Sequence, residues 1–399
     1  MNKQRAIRAM HDNDLDCIIS ASRENNAYFS DIPVQGFTIF TSEGRAALIA
    51  RSVSNLLYEN ESWIKDISYY GTFRLEKSEN PRGPKTKKNP KLTEHERRVN
   101  RSIVEGALKA EGKSDVEILA EKLKELGLER GKIGLDGSGM SYPIYLGLRA
   151  SLRSAMFEDS SQTVSWIRAV KTPEESRRIR RATEIIETGF DSAESAVHVG
   201  VTEQDIAGAF RSSVVQTEEV EIGWYSFLAG TRSALCLAAP SEYRLKRGDL
   251  VVFHSNLAYK YYHSDIPRCG VLGKPAQEQL KAWNAVVRAE EKMIEKVAPG
   301  IKVSELFDLG IRVIRGLGIP KFQRHHLGHG IGLGWGGAEY DPPIITEGNP
   351  AELEENMVLC IETPYNKMGF SGMVSEDIGL VTKSGFELFS SHQSKLASF

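Results

Sequence analysis

The chain has 399 residues, of which 41% are hydrophobic, so it is long enough to form two domains with buried cores. Its formal charge of -2 gives no electrostatic attraction to nucleic acid or to an anionic membrane, and we expect neither as a partner. No apolar run approaches the roughly 20 residues of a membrane-spanning helix, and the polar beginning is unlike a secretory signal. The 4 cysteines lack CxxC spacing, so we predict reduced thiols and a cytoplasmic protein.

Helix and strand patterns alternate over the first part of the chain. Ile7 and Met10 have helical spacing, and the apolar segment CIISAS that follows them is typical of a strand. ENNAYFSDIP is then predicted to be a loop, and FTIFTSEGRAALIA a β-hairpin with Gly44 in its turn. A helix ending at Gly127 and a further strand continue the pattern. Residues 1–165 are therefore predicted to form a small α/β domain.

Residues 74–98 are charged and almost free of large apolar side chains. Such a composition predicts an exposed, mobile loop. Its basic side chains would also suit nucleic acid or another acidic ligand, but a solvated loop is the simpler interpretation.

A domain boundary is predicted just before a long helix. Thr172 suits the N-cap of that helix and Pro173 its first position. A shorter helix follows, and two more are predicted over residues 275–297 and 303–317. Segments typical of strands fill much of the remaining sequence, so residues 171–399 are predicted to form an α+β domain with a mostly antiparallel sheet.

The second domain contains five candidate metal ligands, which are His254, Asp265, His329, Glu362 and Glu376. The first two are separated by an odd number of residues across a predicted hairpin, which allows both side chains to lie on one face. The two glutamates are separated by a glycine-containing segment that suits a second hairpin. Glu362 follows an apolar strand, where a carboxylate is costly to bury unless it is paired or coordinated. Carboxylates with one or two imidazoles suit Mn, Fe, Co or Zn.

In their order and spacing, the motifs of this chain resemble the creatinase and X-Pro aminopeptidase family of the pita-bread fold. ENNAYFS resembles a segment of the creatinase-type N-terminal domain, and IRAVKTPEESRRIRRA the junction between domains. The remaining matches are GDLVVFHSNLAYKYYHSDIPR, GHGIGL, IETPY and SEDIGLVT, which resemble the family's aspartate hairpin, histidine motif and two glutamate motifs. The resemblance covers nearly the whole chain. It implies an α+β protein in which a creatinase-type N-terminal domain precedes a pita-bread catalytic domain.

The resemblance also implies a metal centre, with one departure. In the dinuclear peptidases of the family, one metal is held by the residues that match Asp265, His329, Glu362 and Glu376. The other metal needs a chelating aspartate at the position of His254. A single imidazole cannot chelate as a carboxylate does and has no negative charge, so we expect one divalent metal (Mn, Fe, Zn or Co) per subunit. His254 could still coordinate it through one nitrogen.

Three peptidase groups implied by the resemblance are missing from this sequence. The substrate-binding histidine falls near Leu237, the second catalytic histidine on Gly336, and an arginine on Val374. The first histidine of the family's HxxGH motif matches His325, with His326 beside it as an alternative. These losses argue against ordinary X-Pro cleavage but not against the fold.

The predicted function is hydrolysis of an amide-type C–N bond in a small molecule or short peptide. Glu362 would be the general base, as the resemblance implies, and His325 would hydrogen-bond the tetrahedral intermediate and contact the substrate. Trp335 and Tyr340 belong to the loop GWGGAEYDPP, which follows the histidine motif, and either line a substrate pocket or pack beneath it. Because family members are commonly homodimers, we expect a homodimer here as well.

Two other functions fit parts of the same sequence. His254, His329 and Asp265 offer the two histidines and one carboxylate of a non-haem iron oxygenase, so redox or lyase chemistry on this fold is an alternative. The third hypothesis is a non-catalytic binding module. The persistence of four of the five family ligands argues against it.

Overall fold

A computed structural model describes residues 1–52, 62–71, 93–94, 112–334 and 340–399. Contacts within the chain divide it into two units, Met1–Ile167 and Arg168–Phe399. Of the predicted loop over residues 74–98, all but Thr93 and Glu94 lie outside the described residues. Among the helices described, none has both the length and the apolar character needed to cross a membrane.

The first unit is built on a six-stranded mixed sheet. Its strands are β1 (Cys17–Ser20), β2 (Gly36–Thr41), β3 (Ala46–Arg51), β4 (Ile67–Tyr70), β5 (Lys132–Leu135) and β6 (Met156–Asp159). Its described helices are α1 (Lys3–Asp12), α2 (Arg23–Ser30), α3 (Asp115–Glu125), α4 (Tyr142–Ser151) and α5 (Ser161–Ala169), the last of which continues into the second unit. The strand order is β4-β3-β2-β1-β5-β6. The β2–β3 hairpin forms as predicted, with Gly44 at a φ of 83°.

The prediction of a loop at ENNAYFSDIP is wrong, because most of this segment is helix α2. Ser22 caps the helix, and its hydroxyl accepts a hydrogen bond from the N–H of Asn25 at 3.2 Å. Asn26 is fully buried and donates through Nδ2 to the carbonyl of Gly36 at 2.9 Å. The second bond satisfies the buried amide of Asn26, one of the polar side chains that made the segment look like a loop.

The second unit contains two sheets, and β15 is the one parallel addition among its described pairings. The strands are β7 (Val220–Ala229), β8 (Leu250–Tyr259), β9 (Tyr262–Val271), β10 (Gly328–Ile331), β11 (Tyr340–Ile344), β12 (Val358–Lys367), β13 (Ser371–Thr382), β14 (Gly385–Leu388) and β15 (Ala397–Ser398). One sheet has the order β11-β10-β12-β13-β14 and the other β15-β9-β8-β7. Strand β13 packs against β9, so the two sheets lie side by side. The predicted α+β class with a mostly antiparallel sheet is confirmed.

Four longer helices belong to this unit, and they are α6 (Pro173–Ser195), α7 (Glu203–Val214), α8 (Gln277–Lys296) and α9 (Val303–Gly316). Thr172 caps α6 as predicted, in a reciprocal pair with Glu175.

Helices cover one face of each sheet and leave the other face to the candidate ligands. Ser264 of β9 hydrogen-bonds to α6 through Thr183 at 2.9 Å, and Thr363 of β12 donates to a carbonyl of α8 at 2.9 Å. Because side chains alternate along a strand, the neighbouring Asp265 and Glu362 point to the opposite face. That face carries the candidate site.

Candidate metal centre

Three neighbouring strands bring four donor side chains to one face of the five-stranded sheet. His329 of β10 is paired with Cys360 of β12. Two residues further along β12, Glu362 is paired with Glu376 of β13, so all four share a face. All four are buried, and donor atoms of His329, Cys360 and Glu376 lie within 4.8 Å of one another.

The hairpin of β8 and β9 brings His254 and Asp265 to the same centre. His254 is paired with Pro267, so Asp265, two residues away, lies diagonally across on the same face. Nε2 of His254 lies 3.0 Å from Oδ1 of Asp265 and 3.5 Å from Oε2 of Glu376. Burial opposes protonation of His254, but the two carboxylates raise its pKa well above the usual value. The histidine therefore bridges ligands from both sheets.

Glu376 is the carboxylate most in need of a cation. Both of its oxygens are buried and accept no hydrogen bond from the described residues, and Nε2 of His254 lies 3.5 Å from Oε2. Burial, with the negative charge of Asp265 adding to it, raises the pKa of Glu376 well above its usual value. A divalent metal would neutralise this concentration of negative charge.

The imidazole of His329 is oriented as a metal ligand would be. Its Nδ1 lies 3.0 Å from the carbonyl of Gly330, which favours a proton on Nδ1 and leaves Nε2 free as a ligand atom. Its partner Cys360 donates instead to the backbone carbonyl of Asp265, with Sγ at 3.5 Å. Burial and the surrounding carboxylates raise the pKa of the Cys360 thiol, which favours the neutral thiol. The carboxylate and imidazole donors thus fit a divalent transition metal.

His326, and not His325, contacts the candidate general base. Nε2 of His326 lies 2.5 Å from Oε1 of Glu362. Burial by itself raises the pKa of Glu362, but the hydrogen bond and charge of His326 outweigh it and lower that pKa below the usual value. His325 is exposed, and its ring lies 4.1 Å from that of His326. The two side chains diverge from consecutive positions of an irregular segment, so the motif alone did not distinguish them.

Tyr340 contacts a candidate ligand directly. Its ring stacks on the ring of His329, with centroids 3.6 Å apart, while 45% of the residue remains exposed. Trp335, the other predicted substrate contact, lies outside the described residues. Sequence reasoning missed Trp224, whose ring meets the imidazole of His254 edge-on at 4.8 Å.

A buried ion cluster, also missed from the sequence, holds the strand that carries Tyr340. Asp341 accepts hydrogen bonds from Nη2 of Arg168 at 2.6 Å and from Nζ of Lys171 at 2.8 Å. The same Arg168 nitrogen donates to the carbonyl of Leu333 at 2.7 Å. Arg168, at the start of the unit, therefore contacts the residues on both sides of positions 335–339.

The positions where peptidase side chains are missing are apolar. Leu237 is 59% exposed, with a φ of 61°, and Val374 is 8% exposed. Gly336 lies outside the described residues. Neither Leu237 nor Val374 can donate a side-chain hydrogen bond to a substrate.

Comparison with known proteins agrees with this geometry. The family model of metallopeptidase family M24 matches residues 177–383, and that of the Creatinase/Prolidase N-terminal domain matches residues 3–170. The chain belongs to metallopeptidase family M24. It is accordingly a metallohydrolase of C–N bonds, and the family is metal-dependent.

Individual relatives cover much of the chain. The Xaa-Pro dipeptidase of Pyrococcus horikoshii is 29% identical over 266 residues, which are 66% of this chain and 72% of that relative. The structure of an Xaa-Pro dipeptidase from Bacillus anthracis has a TM-score of 0.81 and 21% identity, covering 99% of this chain and 98% of that one. The structure of the X-Pro aminopeptidase from Thermotoga maritima has a TM-score of 0.78 and 22% identity, covering 98% of this chain and 100% of that one. These structures confirm the predicted pita-bread fold.

Proposed function

We propose that this metallohydrolase cleaves an amide-type C–N bond in a small or peptide-like substrate and is not an ordinary X-Pro peptidase. The observation that carries the proposal is the position of His254. Its imidazole lies 3.0 Å from Asp265 and 3.5 Å from Glu376, where the family resemblance implies a chelating aspartate. The altered ligand changes the metal centre itself, and the lost peptidase side chains change its surroundings.

One divalent metal at this centre would be held by Asp265, His329, Glu362 and Glu376. Three carboxylates and one imidazole are suitable ligands for Mn, Fe, Zn or Co. A second ion beside it would have to use His254, which offers one nitrogen and no negative charge. Mononuclear binding is therefore favoured.

When bound, the metal supplies a Lewis acid that polarises a carbonyl and lowers the pKa of water. Glu362 would accept the proton of the attacking water and pass it to the leaving nitrogen. His326, 2.5 Å from Oε1 of Glu362, fixes the orientation of that carboxylate and can donate to negative charge developing on the substrate oxygen. His325, exposed beside it, would contact the substrate further from the reacting bond.

The substrate would differ from an X-Pro peptide in the groups that must be recognised. Leu237 and Val374 stand where the family resemblance implies a substrate-binding histidine and an arginine, so two polar peptidase groups are missing. Tyr340, with 45% of the residue exposed, would provide a flat apolar contact beside His329, and Trp335 is proposed as a second such contact. Small amides, amidines and non-proline dipeptides are the substrates to screen. The name of the Pyrococcus horikoshii relative supports a peptide-like class.

The test is a comparison of metal content and activity in protein purified without chelators. Parent protein and the Asp265→Ala variant would be analysed for metal by mass spectrometry, with Asp308→Ala, an exposed residue of α9, as the control. We expect Asp265→Ala to lose one metal equivalent and all hydrolysis, and Asp308→Ala to retain both. A preference for X-Pro dipeptides over every other amide would overturn the substrate proposal. Equal metal content in all three proteins would overturn the metal site.

Iron-dependent oxidation is the second candidate, because His254 and Asp265 lie together at the same centre as His329. Two imidazoles and one carboxylate are the ligand types of non-haem iron oxygenases. Turnover that requires both iron and oxygen would favour this candidate, whereas equal rates under air and under nitrogen would favour hydrolysis.

The proposal includes a cytoplasmic homodimer. The four cysteines are free, three of them buried, which suits a reducing compartment. Light scattering of the purified protein would test the dimer, since a mass of one chain would contradict it.

A further inference from the structure

Behind the candidate centre, on the face of β13 that packs on helix α8, a second group of ionisable side chains is buried. Glu290 of α8 and Asp377 of β13 are 0% and 1% exposed, and the side chain of His392 beside them is 25% exposed. One donor atom from each of the three lies within 4.8 Å of the other two. Because Asp377 follows Glu376 in the strand, this group and the candidate centre lie on opposite faces.

Each carboxylate of this group is held by a serine through only one of its oxygens. Ser375 donates to Oε2 of Glu290, and Ser390 donates to Oδ1 of Asp377 at 2.7 Å. The other oxygen of Glu290, Oε1, is buried and has no hydrogen-bond partner among the described residues. The other oxygen of Asp377, Oδ2, faces Nδ1 of His392 at 2.5 Å. The serines therefore fix both carboxylates, while Oε1 of Glu290 stays unpartnered among the described residues and Oδ2 of Asp377 contacts only the imidazole that would share the ion.

We propose that Glu290, Asp377 and His392 form a second metal site, which takes a divalent transition metal such as Zn²⁺. Two carboxylates and one imidazole are common zinc ligands, and a water would complete a tetrahedral set. Two carboxylates would balance the charge of the ion, so the site would be neutral overall. An orphaned carboxylate oxygen in the protein interior is unfavourable, and a metal ligand bond would satisfy it.

Binding requires a small rearrangement that this part of the chain can make. Zinc ligands lie about 2.0–2.2 Å from the ion, so the three donor atoms, which now lie within 4.8 Å of one another, must adjust their spacing to share one ion. The hydrogen bond between His392 and Asp377 must open, and the imidazole must bind in its neutral form, releasing any extra proton to water. The partly exposed side chain of His392 can turn to do this while its neighbours stay in place, because Ser391 is hydrogen-bonded to Glu187 and Gln393 to Cys269.

The site also has a route to solvent. His392 lines a cavity of about 340 Å³ together with Glu187, Asp191, Glu194 and Arg268. Glu187 already pairs with Arg268 at 2.7 Å, so the two remaining acidic side chains give the cavity a net negative charge. A cation would be attracted toward His392 through this opening.

A metal here would tie together three distant parts of the second unit. Glu290 belongs to α8, Asp377 to β13, and His392 to the segment leading to the last strand. Since Glu376 is adjacent to Asp377, the ion would also immobilise the strand that carries a ligand of the candidate centre. The expected role is therefore structural, and its loss should lower thermal stability.

The experiment compares zinc bound per chain by the full-length protein and its variants, after removal of all metal, exposure to excess Zn²⁺ and desalting. The variants are His392→Asn, Glu290→Gln and, as a control at an exposed histidine far along the chain, His198→Asn. His392→Asn and Glu290→Gln should each bind one zinc fewer than the parent, and His198→Asn should bind as much. Circular dichroism would verify that each variant is folded.

Repeating the series with Asp265→Ala separates the two metal sites. If the inferred site exists, His392→Asn lowers the zinc content by one equivalent in that background too, whatever happens at the candidate centre. Equal zinc content with and without His392→Asn, in both backgrounds, would overturn the proposal. Because His392 is partly exposed, its substitution keeps the test valid even if Glu290→Gln fails to fold.

Discussion

Nε2 of His326 lies 2.5 Å from Oε1 of Glu362, whereas the neighbouring His325 is exposed. This contact assigns the histidine that orients the candidate base. Both residues of the pair are largely buried, with side-chain exposures of 12% and 8%, so water screens the interaction little.

We therefore expect His326→Ala to lower kcat/KM by about 10²–10³, the usual effect of losing one positioned hydrogen-bond donor. His325→Ala, the matched control at the adjacent position, should have a much smaller effect that is confined to KM. Both variants should retain the metal content of the parent, which separates loss of catalysis from loss of the ion. Steady-state kinetics on the best substrate of the screen would measure this, and a larger loss for His325→Ala would contradict the assignment.

Restoring an aspartate at position 254 should strengthen a second metal position. A carboxylate there would add two oxygen donors and one negative charge next to Asp265 and Glu376. We expect His254→Asp to bind one more metal equivalent than the parent, measured by mass spectrometry after equilibration with Mn²⁺ or Zn²⁺. His254→Asn is the control, since it removes the imidazole without adding charge. If His254→Asp binds no more metal than His254→Asn, the residue at position 254 does not control a second metal position.

The arrangement of the candidate centre could largely be predicted from sequence, because strand geometry follows simple rules. An odd spacing across a hairpin places His254 and Asp265 on one face, and Glu362 lies directly opposite Glu376 as two strands of a hairpin require. Pro173 and its preceding N-cap likewise marked the start of the long helix correctly.

Prediction from the sequence failed where a side chain's partner lies far away in the chain. It also failed where two adjacent residues of the same type could take one role. Helix α2 looked like a loop because the partner of Asn26 is a backbone carbonyl ten residues away. His325 and His326 are chemically identical, so only the path of the backbone selects between them. Glu290 and Ser375 are separated by 85 positions, and no local pattern indicates that they meet.

Removing the metal should lower the thermal stability of the protein. The candidate centre concentrates Asp265, Glu362 and Glu376 in a buried space, and without a metal their mutual repulsion, offset only in part by the nearby histidines, opposes folding. We expect exhaustive chelation to lower the melting temperature and added Mn²⁺, Co²⁺ or Zn²⁺ to restore it. Combining Asp265→Ala with His392→Asn should abolish this response, because it disables both metal sites. A full response in that double variant, measured by differential scanning fluorimetry, would place the stabilising ion elsewhere.

Asp341→Asn should destabilise the protein strongly and in a pH-dependent manner. The substitution leaves the cations of Arg168 and Lys171 buried without their shared carboxylate, a type of loss that costs about 3–5 kcal/mol. Burial by itself raises the pKa of Asp341, but the two cations outweigh it and lower that pKa below the usual value. A lowered pKa in the folded state contributes stability that is complete above the unfolded-state pKa of about 3.9 and is lost as the pH falls through the folded value. The difference in urea midpoint between parent and variant should thus be constant from neutral pH down to about 5 and shrink below about 4.

Glu347→Gln, at an exposed carboxylate of the same unit, is the control and should change the midpoint little at any pH. A difference for Asp341→Asn that is small at neutral pH would mean that the two cations are stabilised by something other than this carboxylate.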